Sequence, residues 1–332
     1  MRVVQVLGGA EDGGLEKHVI ELSKELKKRN IDISVIAHKK FKNEFKDVNF
    51  IELDLSKGRN NPLMLYKLYT ILKKESFDII HTQANKATDM VIKLKPFLSS
   101  KIVSTLHNYK NNLKSFEKSD FVITVSDKIG ENLKTKNKTT IYNGIAVKEI
   151  KKIDLYQEFN IPKSKFVLCS VGRFVDVKKF DILIESIKET DVHLILVGDG
   201  YNKEQLVRLS NSKQVTFTGY LDQKKTKEIV NSSHIFVMTS QREGFPYTFV
   251  ESMFCQTPFI STPVSDIEKF ITPKYIVPFN DKKKLRKKIL YAKDNYDQVL
   301  QDFNPIFKLA KEKFSVENMT NSVIDIYIKV LI

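Results

Sequence analysis

The sequence predicts an α/β protein of two domains, each built on a parallel sheet. Three observations lead there. Short apolar runs of strand length recur along the chain, separated mostly by helical or loop segments, which is the pattern of βαβ units. The alternation stops at Asn143-Gly144 and a polar stretch to Ile153, then restarts at Phe166. The length of 332 residues with 42% hydrophobic side chains is enough for two cores.

The first strand, Arg2 to Leu7, runs into Gly8-Gly9-Ala10-Glu11-Asp12-Gly13-Gly14. A helix follows from Leu15 to Arg29, with Leu15, Val19, Leu22 and Leu26 on one face. Strand, glycine loop and helix resemble a phosphate-cradling start. It is neither the GxGxxG fingerprint nor a P-loop, because Leu15 stands where Lys and Ser/Thr would be needed. Ile31 to Ala37, Phe50 to Leu53, Phe77 to His81, Ile102 to Leu106, Phe121 to Val125 and Thr140 to Tyr142 are the further strands of this half. Ligands of such sheets lie beyond the carboxyl ends of strands, where His81 and His107 fall. His38 ends the second strand in the same way, without a supporting motif.

In the second half Phe166 to Val171 leads into Gly172-Arg173-Phe174-Val175-Asp176-Val177-Lys178-Lys179 and a helix from Phe180 to Lys188. Arg173 and Lys178 bracket that turn. A guanidinium fork and an ammonium placed there could clamp two phosphates, the plain alternative being two solvated cations. Val192 to Val197 ends at Gly198-Asp199-Gly200, and Val215 to Thr218 ends at Gly219-Tyr220-Leu221-Asp222.

The stretch from His234 to Ile260 reads as strand, loop and helix. Ile235 to Met238 is the strand, and Pro246 suits the first turn of a helix starting near Phe245. The amides of Gly244, Phe245, Tyr247 and Thr248 would then face outward at the positive end of the helix dipole, which suits a phosphate. Glu243 and Glu251 flank that place. In a continuous helix they would stand about 12 Å apart. A glycosidase pair needs about 5 to 9.5 Å, so the two serve different atoms of one extended ligand. Phe259-Ile260 and Tyr275 to Val277 complete the second sheet, and helices follow at Lys282 to Tyr296, Pro305 to Lys313 and Val316 to Ile332. Ser315 caps the last, whose Val316, Met319, Val323, Ile326, Tyr327 and Val330 form an apolar stripe that must be buried.

No stretch approaches 18 consecutive apolar residues, and the amino-terminal run has the length of a strand rather than a signal peptide, so a cytoplasmic protein is expected. Cys169 and Cys255 lie in apolar segments with no CxxC spacing, which argues against structural zinc. The net charge of +15 favours an anionic partner: nucleic acid, a phosphorylated substrate or an acidic membrane surface. Residues 1 to 150 carry more of the excess, with 27 Lys and Arg against 18 Asp and Glu. The basic residues are scattered, with no recognisable nucleic-acid motif, so nucleic acid is not the expected partner.

Gly13-Gly14-Leu15-Glu16-Lys17-His18-Val19, Gly172-Arg173 with Lys178, Gly198-Asp199-Gly200, and Glu243-Gly244-Phe245 with Glu251 together resemble the retaining, nucleotide-sugar-dependent glycosyltransferases of family 4, also termed glycosyl transferases group 1. The resemblance covers nearly the whole chain in the right order. It implies a GT-B fold: two Rossmann-like domains facing a cleft, 1–148 on the acceptor side and 149–310 on the donor side, with 311–332 packing back on the first. Arg173 and Lys178 would bind the donor diphosphate, Glu251 the ribose, and Glu243 the sugar near the reacting carbon. Gly14 and the amides of Gly244 to Thr248 would approach the phosphates, with Tyr220 in the loop that holds the base. His107 would stand beside the donor sugar, and Gly13, His18 and His81 on the acceptor side. UDP is the preferred donor nucleotide, followed by GDP. A glycan or lipid-linked acceptor, no metal or other cofactor, and a role in cell-surface polysaccharide or glycolipid synthesis complete the expectation.

The sequence departs from the family pattern at Gln83, where many relatives have the second His of a His-x-His, and at Pro246-Tyr247. The segments Lys39 to Lys46 and Lys93 to Phe97 would touch an anionic membrane on its inner face. A nucleotide-sugar epimerase of the same fold, a basic nucleic-acid-binding protein and a scaffold that binds nucleotide-sugar without turnover stay open as alternatives.

Overall fold

The computed structural model describes every residue except 12, 57, 147–148 and 211–212. Asp12 of the glycine loop and positions 147–148 of the predicted linker therefore lie outside the described residues. The chain divides into two compact units, Met1–Ala146 with Lys313–Ile332, and Val147–Glu312.

The first unit holds seven parallel strands: β1 (Arg2–Leu7), β2 (Asp32–Ala37), β3 (Asn49–Glu52), β4 (Ile79–Gln83), β5 (Lys101–Leu106), β6 (Phe121–Thr124) and β7 (Lys138–Thr140), in the order β3-β2-β1-β4-β5-β6-β7. The period of two divides their side chains between the faces. Val3, Leu7, Ile33, Val35 and Ile79 pack under helix Gly14–Lys28 and the last helix, Val316–Leu331. Val4, Val6, Ile36 and Ile80 pack under helices Pro62–Glu75 and Ala84–Leu94.

The apolar stripe of the last helix is buried in this unit through Val316, Met319, Val323 and Tyr327. Ser315 caps the helix by accepting from the Asn318 amide at 3.1 Å. Ile145, a few residues beyond the last strand, ties the start of the helix to the first unit, donating to Phe314 and accepting from Val316, both at 3.0 Å. The approach requires glycine at 144, where a Cβ would lie 2.4 Å from the Ser315 carbonyl oxygen.

The second unit carries β8 (Phe166–Val171), β9 (Val192–Val197), β10 (Val215–Gly219), β11 (Ile235–Met238) and β12 (Phe259–Ser261), all parallel, in the order β10-β9-β8-β11-β12. Two expectations need correction here. Tyr275 to Val277 is no strand: Pro273 opens a 3₁₀ turn, Pro278 follows, and a single bridge from Ile276 to Ser261 remains, because prolines on both sides remove ladder donors. Tyr296–Lys313 is one helix that contains Pro305, rather than a helix starting at it. The missing amide costs one intrahelical hydrogen bond, and Val299, Phe303, Ile306 and Phe307 offset it by burial.

In each unit the strand order reverses beside the first strand, between β1 and β4 and between β8 and β11. Crossover connections leave in opposite directions at such a point, so the loops after those strands part and leave room for a ligand.

Candidate functional site

The reversal in the second unit explains why two loops distant in sequence meet. β8 and β11 pair through Ile235 with Leu168 and Phe236 with Cys169, so the loop after Val171 and the loop after Met238 emerge side by side. The backbone joins them where Gln241 donates to Val177 at 2.8 Å. The Thr239 hydroxyl donates to the carbonyls of Lys178 and Lys179, at 2.8 and 2.9 Å. On the other flank Thr262 donates to the Ser240 carbonyl at 2.5 Å, and Ser265 to that of Gly244. The Glu243-Gly244 turn is thus held from both sides by short polar side chains.

The result is an ion pair, Lys178 Nζ to Glu243 Oε1 at 2.6 Å, with the two side chains 22% and 15% exposed. Partial burial and a charge-assisted hydrogen bond make it stronger than an ordinary surface pair. Arg173, at the start of the same β8 loop, is exposed. That loop is fixed by Gly198-Asp199-Gly200 after β9, where Phe174 donates to Asp199 at 2.8 Å. Gly198 has φ +138°, and a Cβ on it would lie 2.0 Å from the Gly172 carbonyl oxygen. No other residue fits so close an approach.

The helix carrying Glu251 spans Tyr247–Phe254, with Pro246 as its cap rather than inside its first turn. Glu243 and Gly244 precede it in loop conformation, so the separation expected for a continuous helix does not apply. Phe245 is buried, and Glu251 is 9% exposed, an acid facing inward. Tyr220, after the positive-φ Gly219 that ends β10, is 77% exposed.

In the first unit Gly13 and Gly14 are exposed at the start of helix Gly14–Lys28. The loop is folded round a side chain the sequence reading passed over: the buried Glu16 carboxylate lies 3.5 and 3.4 Å from where Cβ atoms would stand on Gly9 and Gly13.

The histidines form a buried polar network. His18 Nδ1 donates to Asn143 Oδ1 at 3.1 Å, while its buried Nε2 has no protein partner. Its ring meets His107 edge to face at 4.8 Å between centroids. His107 Nε2 donates to Gln83 Oε1 at 2.6 Å, and Gln83 Nε2 to Gln5 Oε1 at 2.5 Å. Burial lowers the His18 pKa to about 4 despite the Asn143 bond. Burial, then the His18 and His81 rings, holds His107 well below the ordinary histidine range.

His81 requires correction. It is fully buried, and both nitrogens are engaged, Nδ1 with the Tyr327 hydroxyl at 2.7 Å and Nε2 with Thr105 at 2.6 Å. No atom is left for an acceptor, so it acts as a fastener between β4 and the last helix. The partners Gln5, Asn143 and Tyr327 were not marked by motif. Only the alternation of His81 and Gln83 on one strand, two residues apart, signalled that both would face the same side.

Residues 151–304 match the family model of glycosyl transferases group 1, and residues 12–149 that of glycosyltransferase family 4. An uncharacterized glycosyltransferase of Methanocaldococcus jannaschii is 30% identical over 343 residues, covering 95% of this chain and 94% of that one. The O-antigen biosynthesis glycosyltransferase WclY of Escherichia coli is 26% identical, over 76% and 79% of the two chains. Among solved structures, Anabaena HepE in complex with UDP-glucose superposes with a TM-score of 0.85 at 19% identity, covering 98% of each chain. A glycosyltransferase from Rickettsia africae gives 0.84 at 20% identity, covering 99% and 98%. The chain therefore belongs to the glycosyl transferases group 1 family and is a glycosyltransferase of the GT-B fold.

Proposed function

We propose that the protein transfers a sugar from a UDP-sugar to a glycan or lipid-linked acceptor with retention of anomeric configuration and without a metal. The observation that carries this reading is the Lys178–Glu243 pair at the strand-order reversal of the second unit, with Arg173 on the same loop as Lys178. Support for the donor comes from HepE, solved with UDP-glucose, and for the acceptor class from WclY and from the Rhizobium meliloti lipopolysaccharide core biosynthesis enzyme LpsE. We place its work at the cytoplasmic face of a membrane, where a lipid-linked acceptor would be met.

The chemistry builds positive character at the sugar carbon while negative charge gathers on the departing diphosphate. Lys178 leaves Glu243 for the diphosphate, and Arg173 adds a bidentate contact, so fixed cations meet the charge as it develops. Glu243, released, orients the sugar, and Glu251 takes the ribose hydroxyls. The bond from the sugar carbon to the phosphate oxygen breaks, and the acceptor oxygen bonds on the same face. Its proton passes to the leaving phosphate oxygen. Neutral His107 serves as a hydrogen-bonding group for the donor sugar, and neutral His18 for the acceptor.

The test is transfer from UDP-glucose, UDP-galactose and UDP-N-acetylglucosamine to alkyl glycosides in the presence of a chelator, the product's anomeric configuration being read by NMR. An α-linked product at an unchanged rate is expected. A β-linked product or loss of activity with chelator would contradict the mechanism, and an epimerised sugar formed without acceptor would favour the epimerase.

A further inference from the structure

Three large exposed apolar side chains of the first unit, Leu63, Tyr66 and Phe97, lie on or beside one helix. Leu63 and Tyr66, 61% and 66% exposed, are one turn apart on helix Pro62–Glu75, where side chains three apart are neighbours. Tyr69, one further turn along, meets Phe97 edge to face at 6.2 Å, and Phe97 is itself 63% exposed. Leu63, Tyr66 and Phe97, with the half-buried Tyr69 linking the helix to Phe97, therefore form an apolar strip facing water where a soluble surface would carry polar groups.

The strip is fixed rather than incidental. Asn61 caps the helix by accepting from the Met64 amide at 3.2 Å. Lys93 donates to the Arg59 carbonyl at 3.1 Å and to Asn60, holding the entry to the helix against helix Ala84–Leu94. Beneath it Leu68 and Leu72 are buried and Tyr69 packs against the same core, so the outward Leu63, Tyr66 and Phe97 are surplus to it.

Charge identifies the partner. Neither residues 58–74 nor residues 90–101 contain an Asp or Glu. Lys67, Lys73, Lys74, Lys93 and Lys101 on these stretches are exposed, while Arg59 and Lys95 pair with Asp89 and Asp120 from outside them. Aromatic and aliphatic side chains among lysines, with no acids, complement an anionic lipid surface: the rings enter the headgroup region and the ammonium groups meet lipid phosphates. The other basic segment, Lys39 to Lys46, differs. Its Phe41 and Phe45 are buried in the core, 4% and 2% exposed, which leaves only charge outside.

We propose that the strip Leu63, Tyr66, Tyr69 and Phe97, with Lys67, Lys73 and Lys74, seats the protein on an anionic membrane. The inference rests on the reading of a lipid-linked acceptor for its purpose, but the contact needs neither donor nor acceptor.

The test is co-sedimentation with vesicles of phosphatidylcholine alone and of phosphatidylcholine with phosphatidylglycerol, using the full chain without substrates. Binding to the anionic vesicles only is expected. It should fall by about tenfold or more in Lys67→Glu/Lys73→Glu/Lys74→Glu and in Leu63→Ser/Tyr66→Ser/Phe97→Ser, and by less than about twofold in Lys39→Glu/Lys40→Glu/Lys42→Glu. Both strip variants alter exposed positions, and unchanged melting temperatures would show that they fold. Undiminished binding by both would overturn the proposal, as would equal loss in the Lys39 variant. Self-association abolished by the Tyr66 substitution, without vesicle binding, would make the strip a contact between copies instead. Transfer to a water-soluble acceptor, measured in parallel, should persist in the strip variants, so failure of docking and failure of the catalytic reading are told apart.

Discussion

Lys178 reaches Glu243 because β8 and β11 are neighbours in the sheet, although 65 residues separate the two side chains in sequence. If Lys178 neutralises the departing diphosphate, Lys178→Met should lower kcat by about a hundredfold to a thousandfold. The melting temperature should change little, since both partners keep some access to water. Steady-state kinetics beside thermal melting separates the two effects; a loss of stability matching the loss of activity would make the lysine structural. Arg173 and Lys178 were legible in the sequence as cations at a strand end, and Glu243 as the residue before a helix start. That Lys178 and Glu243 pair, and that Thr239, Thr262 and Ser265 hold the turn, was not legible. Ser and Thr near loops are common, and their partners are set by which strands lie side by side. The same reason hid His81, whose strand-end position suggested exposure although β5 and the last helix close over it.

The last helix shows what patterning reveals at the scale of an element. Its apolar stripe announced burial, and its partner sheet was given only by resemblance until the structure placed it in the first unit. There Tyr327 brings a hydroxyl to His81, whose pKa burial lowers to about 3, as it lowers that of His18 to about 4. A histidine kept neutral in the folded state protonates first in the unfolded one. Stability from these groups is therefore complete above the ordinary histidine value of about 6.5 and is lost as pH falls below it, levelling off only below their folded-state values. Each histidine contributes a slope of up to about 1.4 kcal/mol per pH unit. Urea unfolding of the first unit, followed from pH 7 down to pH 4 by a local probe such as Tyr327, should show midpoints falling steeply below pH 6.5. A His18→Gln variant should show a shallower fall. A flat profile would mean that these rings are solvated.

For the whole molecule, alternation of strands and helices foretold two parallel sheets, and the fold is two Rossmann-like units. The errors, at Tyr275 to Val277 and Pro305, were local ones, where proline chemistry has more than one outcome. The excess of positive charge was legible as a sum, and Lys93 to Phe97 as one basic segment, but that Phe97 joins Leu63 and Tyr66 near Lys67, Lys73 and Lys74 depends on which helix faces stay uncovered. The central claim is that the β8 and β11 loops of the second unit bind a nucleoside diphosphate sugar through Arg173 and Lys178. The most direct measurement is thermal stabilisation by UDP-, GDP- and ADP-sugars, wild type beside Arg173→Ala. A ligand at about 100 times its dissociation constant adds roughly 2.7 kcal/mol to the folded state. The account predicts a rise in melting temperature with UDP-sugars that largely disappears in the variant. No rise with any nucleotide sugar, or an equal rise in both proteins, would contradict it.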